Sequence, residues 1–261
     1  MAKRPLALCA LLLAWAPSAS AEPRGFDEPS LPVVAGFGAI GAFAIGTHFF
    51  APPPSEPSWT GALALDDASR RLLRAFSPEG RSRAALASDL LLGSFVALPF
   101  ADALTVSNGT QRARTALVDA EAFALTGALV ISLKRTTARA RPYTFDGPST
   151  DRDRYESFPS GHTAFAFTGA SLFCTQRWHR SGTTTSALAC SSAFFGATAM
   201  GTLRIVADEH HLSDVLVGAA MGGLVGWIVP WLQMTEGSST GMSNAPLAAE
   251  MPMAVVVGGS F

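Results

Sequence analysis

At 261 residues, 48% hydrophobic and only 15% charged, with a mean hydropathy of +0.27, the chain is too apolar for disorder and too long for a disulfide-stapled miniprotein. A formal charge of −1 removes the electrostatic case for nucleic-acid binding, and 24 glycines and 17 prolines without a fixed period exclude collagen and solenoid architectures. A helical membrane protein or an unusually apolar exported globule remains.

Lys3 and Arg4 precede the apolar run from Leu6 to Trp15, and Ala19-Ser20-Ala21 supplies a small-x-small cleavage pattern. Residues 1–21 therefore read as a secretory signal, with a retained anchor helix as the alternative. Without them, 17 basic residues face 20 acidic ones. Cys174 and Cys190 lie in separate apolar stretches; they read as small buried hydrophobes, or as a pair in an oxidising compartment. Neither has metal-ligand spacing.

Residues 22–115 form an N-terminal helical region. Leu31 to Phe50 carries no ionised side chain and is long enough to cross a bilayer, with Pro52-Pro53-Pro54 closing it. A polar stretch at 55–88 follows. Within it Leu65, Leu72, Leu73 and Phe76 alternate with Arg70, Arg71 and Arg74, as in an interfacial or a solvated surface helix. The segments 90–100 and 122–133 are weaker. Asp89, Asp102, Asp119 and Glu121 lie at or near their ends, so they cross only if these acids face protein or an interface.

The core is expected at 116–233. Its stretch 134–160 is polar and irregular, broken by Pro142, Gly147, Pro148 and Pro159. Three apolar helices should follow, near 161–176, 185–203 and 211–232. The last carries Gly218, Gly222 and Gly226 at four-residue spacing, a surface for close helix packing or merely a flexible run of small residues. The tail 234–261 has no assignment. The fold class is all-α, a multi-pass transmembrane helical bundle.

Past the signal segment a single lysine, Lys134, stands among sixteen arginines, and Arg141-Pro142 follows seven positions later. Such a cluster beside a membrane ordinarily faces lipid phosphates. Pro159-Ser160-Gly161-His162 opens an apolar helix, with Ser160 as N-cap and free N–H groups turned toward an anion. Arg204 then precedes His210 and Asp214, which share a helix face at i, i+4. A carboxylate there can hold one imidazole nitrogen and leave the other as a nucleophile. Spacing alone leaves His211 open as the nucleophile.

These three segments resemble the type 2 phosphatidic acid phosphatase family, which shares its site with bacterial class A acid phosphatases and vanadium haloperoxidases. The family signature reads K-x6-RP, PSGH and SR-x5-H-x3-D. It is met here by Lys134 with Arg141-Pro142, by Pro159 through His162, and by Arg204 with His210 and Asp214, over roughly 116–230. Leu203 departs from the serine usual before the arginine, which puts one phosphate-side hydrogen bond in doubt. The resemblance implies that Lys134, Arg141, Ser160, Gly161 and Arg204 bind phosphate. It also implies that His210, oriented by Asp214, forms a phosphohistidine, and that His162 protonates the leaving oxygen. With three cations around the phosphate it implies no metal and no other cofactor.

If the core helices alternate in direction, all three motifs fall at one end of the bundle. The expected activity is hydrolysis of lipid phosphate monoesters or pyrophosphates at the periplasmic membrane face, the partners being a phosphorylated lipid and the membrane, with no nucleic acid. The alternatives are a soluble periplasmic acid phosphatase, a vanadium haloperoxidase, and a non-catalytic phospholipid-binding protein. An exported N-terminus and a periplasmic site together require an even number of crossings before Lys134, so either the short segment 90–100 does not cross, or residues 1–21 are not cleaved, or nothing crosses.

Overall fold

The structure, a computed structural model, describes residues 25–26, 31–181 and 184–235. The expected signal segment 1–21 and nearly all of the tail 234–261 lie outside them. The described chain is an all-α bundle: α1 (Leu31–Phe50), α2 (Ala64–Leu73), α3 (Pro78–Ala103), α4 (Gly109–Thr137), α5 (Gly161–Ser181), α6 (Thr184–Val206) and α7 (Leu212–Gln233). A 3-10 turn spans Pro142–Asp146, and the two-residue strands β1 (Gly25–Phe26) and β2 (Met234–Thr235) pair antiparallel.

Among the described residues, α1, α3, α4, α6 and α7 are long and apolar enough to cross a membrane. The fifth helix, α5, falls short because it carries Thr163, Thr168, Ser171, Thr175 and Gln176. All five are buried inside the bundle rather than turned to lipid. Thr168 Oγ1, for instance, bonds the Ala164 carbonyl and Thr126 Oγ1, both at 2.9 Å. A polar helix is tolerated in a bilayer when protein surrounds it.

Contacts fix the direction of each helix. Arg135 at the end of α4 donates to the carbonyls of Thr47 and Ala51 at the end of α1, so these two run parallel. Asp89 of α3 meets His162 at the start of α5, and Asp102 meets Arg177 and Arg180 near its end, so α3 and α5 run parallel in the opposite sense. The motif-bearing ends of α4, α5, α6 and α7 consequently share one end of the bundle, with the paired strands at the other.

The alternative that 90–100 does not cross is corrected. That segment is the interior of α3, which begins at Pro78 inside the stretch read as polar and runs for 26 residues. The acid at its end is paired with arginines, and those of α4 accept from side-chain amides. Asp102 takes Arg177 and Arg180, Asp119 accepts from Gln176 at 2.6 Å, and Glu121 accepts from Gln233 at 2.8 Å. Three helices thus precede Lys134, an odd number.

The glycine row of α7 has a partner. A Cβ at Gly218 would stand 2.6 Å from the Ser160 carbonyl oxygen, at Gly222 2.0 Å from that of Ala164, and at Gly226 2.5 Å from that of Thr168. Backbone packs on backbone through three successive turns, as small residues allow. Gly169 of α5 meets the Phe95 carbonyl of α3 in the same way, at 2.1 Å.

Gly222→Ala is expected to lower the thermal midpoint of the detergent-solubilised protein by several degrees, because overpacking costs roughly 1–3 kcal/mol. Gly223→Ala, where a Cβ meets nothing within 4 Å, should leave it unchanged or raise it. Equal effects at both positions would contradict the packing.

Candidate active site

The core of the site is a buried imidazole. After α6 the chain turns through Asp208 in the left-handed region (φ 64°), a conformation aspartate tolerates better than most residues. Asp208 is sealed from solvent and clasped by Arg70 of α2 through Nε and Nη2, at 2.7 and 2.8 Å. His210 follows with 2% exposure, and its Nδ1 lies 2.7 Å from the Ser157 carbonyl oxygen. A carbonyl only accepts, so Nδ1 carries the proton and Nε2 keeps its lone pair.

The spacing argument gave Asp214 the part of orienting this ring, and in the structure it stands close to Nδ1 without bonding it. Asp214 Oδ2 stands 3.7 Å from His210 Nδ1, beyond hydrogen-bond distance. It accepts instead from the Ser157 hydroxyl at 2.6 Å and from the His211 N–H at 2.9 Å, the latter as the third residue of α7 reaching back to its cap. Asp214 acts on the imidazole largely through Ser157. Its other oxygen takes Arg139, and its carbonyl accepts the Ser160 N–H at 3.0 Å, tying the starts of α5 and α7 together.

Burial holds the His210 imidazolium well below its ordinary pKa. The pull of Asp214 opposes this, and the charges of Arg141, Lys134 and Arg204 reinforce it. His211 is lowered too, by burial and by Arg139. His211 points elsewhere: its Nε2 lies 3.3 Å from the Ala140 carbonyl oxygen and its ring packs on Phe145.

Lys134, Arg141, Gly161, His162 and His210 converge on one cavity of about 670 Å³. Lys134 Nζ donates to the Glu156 carbonyl. Arg141 pairs with Asp153 and Glu209. Arg204 stands beside them, held at 2.9 Å by Ser88 of α3 and 3.6 Å from Asp89 and Glu209. His162 Nε2 is 2.8 Å from Asp89. Ser160 is fully buried and its hydroxyl meets Thr163 at 2.9 Å, so it faces the helix rather than the cavity. Lys134 and Arg141 thus line the cavity with the His210 imidazole, Arg204 stands beside them, and each cation is held by carboxylate, carbonyl or hydroxyl oxygens.

Below the charged end the cavity is apolar. It descends between α1 and α4 past Phe165, Gly127 and Phe123 as far as Ala120, fourteen residues and about 21 Å along α4 from Lys134.

Sequence reasoning missed Arg139, Asp66, Ser157, Asp89 and Ser88. Arg139 carried only the signal of standing two residues before Arg141. The others carried none, since each meets the site through the tertiary fold.

With this geometry, the comparisons fall into place. The PAP2 superfamily pattern matches residues 116–238. The segment resembles a lipid A 1-phosphatase of Porphyromonas gingivalis, 40% identical over 114 residues, which are 44% of this chain and 23% of that protein. A lipid A 1-phosphatase of Rhizobium etli is 34% identical over 106 residues, 37% of this chain and 41% of that protein. The chain therefore spans less than half the length of either relative. Among solved structures, a transmembrane PAP2-type phosphatidylglycerolphosphate phosphatase of Bacillus subtilis superposes with a TM-score of 0.50 at 19% identity, over 77% of this chain and 94% of that one. The two share an all-α fold with membrane-length helices.

Because the folded state keeps His210 and His211 neutral, the unfolded chain binds protons first as pH falls through about 6.5. Stability is present above that value and declines below it. Histidine ¹⁵N spectra should show the His210 ring neutral, with Nδ1 protonated, from pH 8 to pH 6. An imidazolium signal at pH 6 would contradict the burial.

Proposed function

We propose that the protein is a membrane phosphatase that hydrolyses lipid phosphate monoesters through a phosphohistidine. The observation that carries this reading is His210, buried and neutral, with its Nε2 free beside Lys134, Arg141 and Arg204 at the head of an apolar cavity. The three cations hold the phosphoryl oxygens, and the Gly161 N–H at the start of α5 adds to them. The His210 Nε2 lone pair forms the N–P bond as the P–O bond to the lipid breaks. His162 gives its proton to the leaving oxygen, and Asp89, 2.8 Å from its Nε2, orients the ring. Water, deprotonated by His162, then attacks phosphorus, the N–P bond breaks, and phosphate leaves.

The apolar cavity favours a lipid over a soluble phosphate, since its walls offer an acyl chain a place against α1 and α4. The two curated relatives make a lipid A 1-phosphate the first substrate to test. In this reading the site faces the periplasm. With α1, α3 and α4 crossing before Lys134, that puts the start of α1 on the cytoplasmic side; an exported residue 22 and a periplasmic site exclude each other.

Phosphate release from a lipid phosphate by the detergent-solubilised protein is expected to fall at least about 10³-fold in His210→Ala and in Arg141→Ala, with His211→Ala far less affected. Rapid quenching in alkaline denaturant should trap labelled phosphohistidine in the wild type and none in His210→Ala. Chelator should leave turnover intact and orthovanadate should inhibit it. Retention of activity in His210→Ala overturns the mechanism. Gly127→Leu, which fills the cavity beside Phe165, should raise KM for a long-chain substrate and spare a short-chain one. Equal effects on both would assign the cavity no part in lipid recognition.

A further inference from the structure

Arg139 is a charge with no access to water, its relative exposure being 0%. Such a group persists only when paired and hydrogen-bonded. It has two carboxylates. One is Asp214; the other is Asp66 on α2, also sealed, at 2.8 Å from Nη2. The guanidinium additionally stacks on Trp59, 3.8 Å from the ring centre, and donates to the Gly61 carbonyl.

Asp66 does more than neutralise Arg139. It accepts from the Ser213 N–H at 2.8 Å, from the Ser213 hydroxyl at 2.9 Å and from the Leu63 N–H at 3.0 Å. These bonds outweigh the upward push of burial and keep it ionised. Asp66 thus grips both supports of Asp214: the guanidinium on its side chain and the preceding residue in its helix. Asp214 in turn bonds the Ser157 hydroxyl, and the Ser157 carbonyl holds His210 Nδ1. The Ser157 N–H is itself fixed by the Arg139 carbonyl at 3.0 Å. Asp66 lies outside residues 116–238 and 147 positions from Ser213, in a helix to which the sequence reading gave no role in the site.

We infer that Asp66 and Arg139 are positioning residues for the phosphoryl transfer proposed above, a buried ion pair from α2 that sets Asp214 and Ser157 and so aims the His210 ring. The inference rests on that reading of His210. Two carboxylates and one guanidinium leave a net charge of −1 behind the imidazole. When Nε2 bonds phosphorus, the ring keeps its Nδ1 proton and becomes cationic, and this charge offsets it. The pair therefore serves the transfer step more than substrate binding.

The test uses the full chain in detergent, with Asp66→Asn and Arg139→Lys, a short-chain lipid phosphate, and thermal unfolding in parallel. Expected for Asp66→Asn is a 10- to 100-fold loss of kcat with KM changed less than threefold. The double variant Asp66→Asn/Arg139→Lys should be no slower than the worse single one, because both act through Asp214. Histidine ¹⁵N spectra of Asp66→Asn should show the two His210 tautomers mixing. If Asp66→Asn fails to fold, Ser213→Ala, which removes one of its hydrogen bonds, should lower kcat three- to tenfold with KM unchanged. Wild-type kcat and an unaltered His210 tautomer in whichever of these variants folds overturn the positioning role, while a dead His210→Ala beside them leaves the phosphatase reading standing. If the wild type releases no phosphate from the lipids tried, that reading fails, and the tautomer measurement still decides whether the pair aims the ring.

Discussion

Everything at the reacting end depends on how closely α5 and α7 approach. Their backbones touch along Gly218, Gly222 and Gly226, leaving no room for a methyl group between them. That contact brings the Ser160 N–H onto the Asp214 carbonyl at 3.0 Å and sets the loop before α7 beside the loop before α5. His162 and His210 come from two turns of chain nearly fifty residues apart, yet their separation is fixed by main-chain atoms rather than by flexible side chains. Such a seam has two discrete states, packed or apart, and cannot yield gradually.

Onto this rigid seam the fold places an unusual density of charge. Each cation of the cradle is already answered by an acid or a carbonyl: Arg141 by Asp153 and Glu209, Lys134 by the Glu156 carbonyl, Arg204 by Ser88 with Asp89 nearby. These partners hold the donors in place before an anion arrives, so binding spends little on ordering them. Behind the imidazole the sealed Asp66–Arg139–Asp214 group finds its ion-pair partners within the protein. In front of it the charges are half open. The difference separates groups that shape the site from groups that meet a ligand.

The parts legible in the sequence were those with local causes. Hydropathy located α1 and α5 to α7, Pro and Gly marked the irregular stretch, and motif spacing delivered Lys134, Arg141, His162, Arg204 and His210. What failed was non-local. The short apolar window at 90–100 hid the true length of α3, because its polar first turns and its acids find partners only in the folded bundle. Helical spacing put Asp214 beside His210; the two do stand 3.7 Å apart, but α7 begins at Leu212 and leaves His210 in the preceding loop. Arg70 and Arg74 read as part of an interfacial or a solvated surface helix. They turn inward to Asp208 and Asp146, and the exposed side is the apolar one, with Leu72 and Phe76 at 82% and 99% exposure.

The first helix has a consequence for how the protein is built to change. Among the described elements α1 leans chiefly on α4, and most of its surface looks outward. It forms one wall of the apolar cavity but donates nothing to the imidazole or to the charges that steer it. In the proposed reading, substitutions along that wall widen or narrow the slot for a hydrocarbon tail without retuning the chemistry. Selectivity and reactivity are therefore separable traits in this architecture, free to diverge independently.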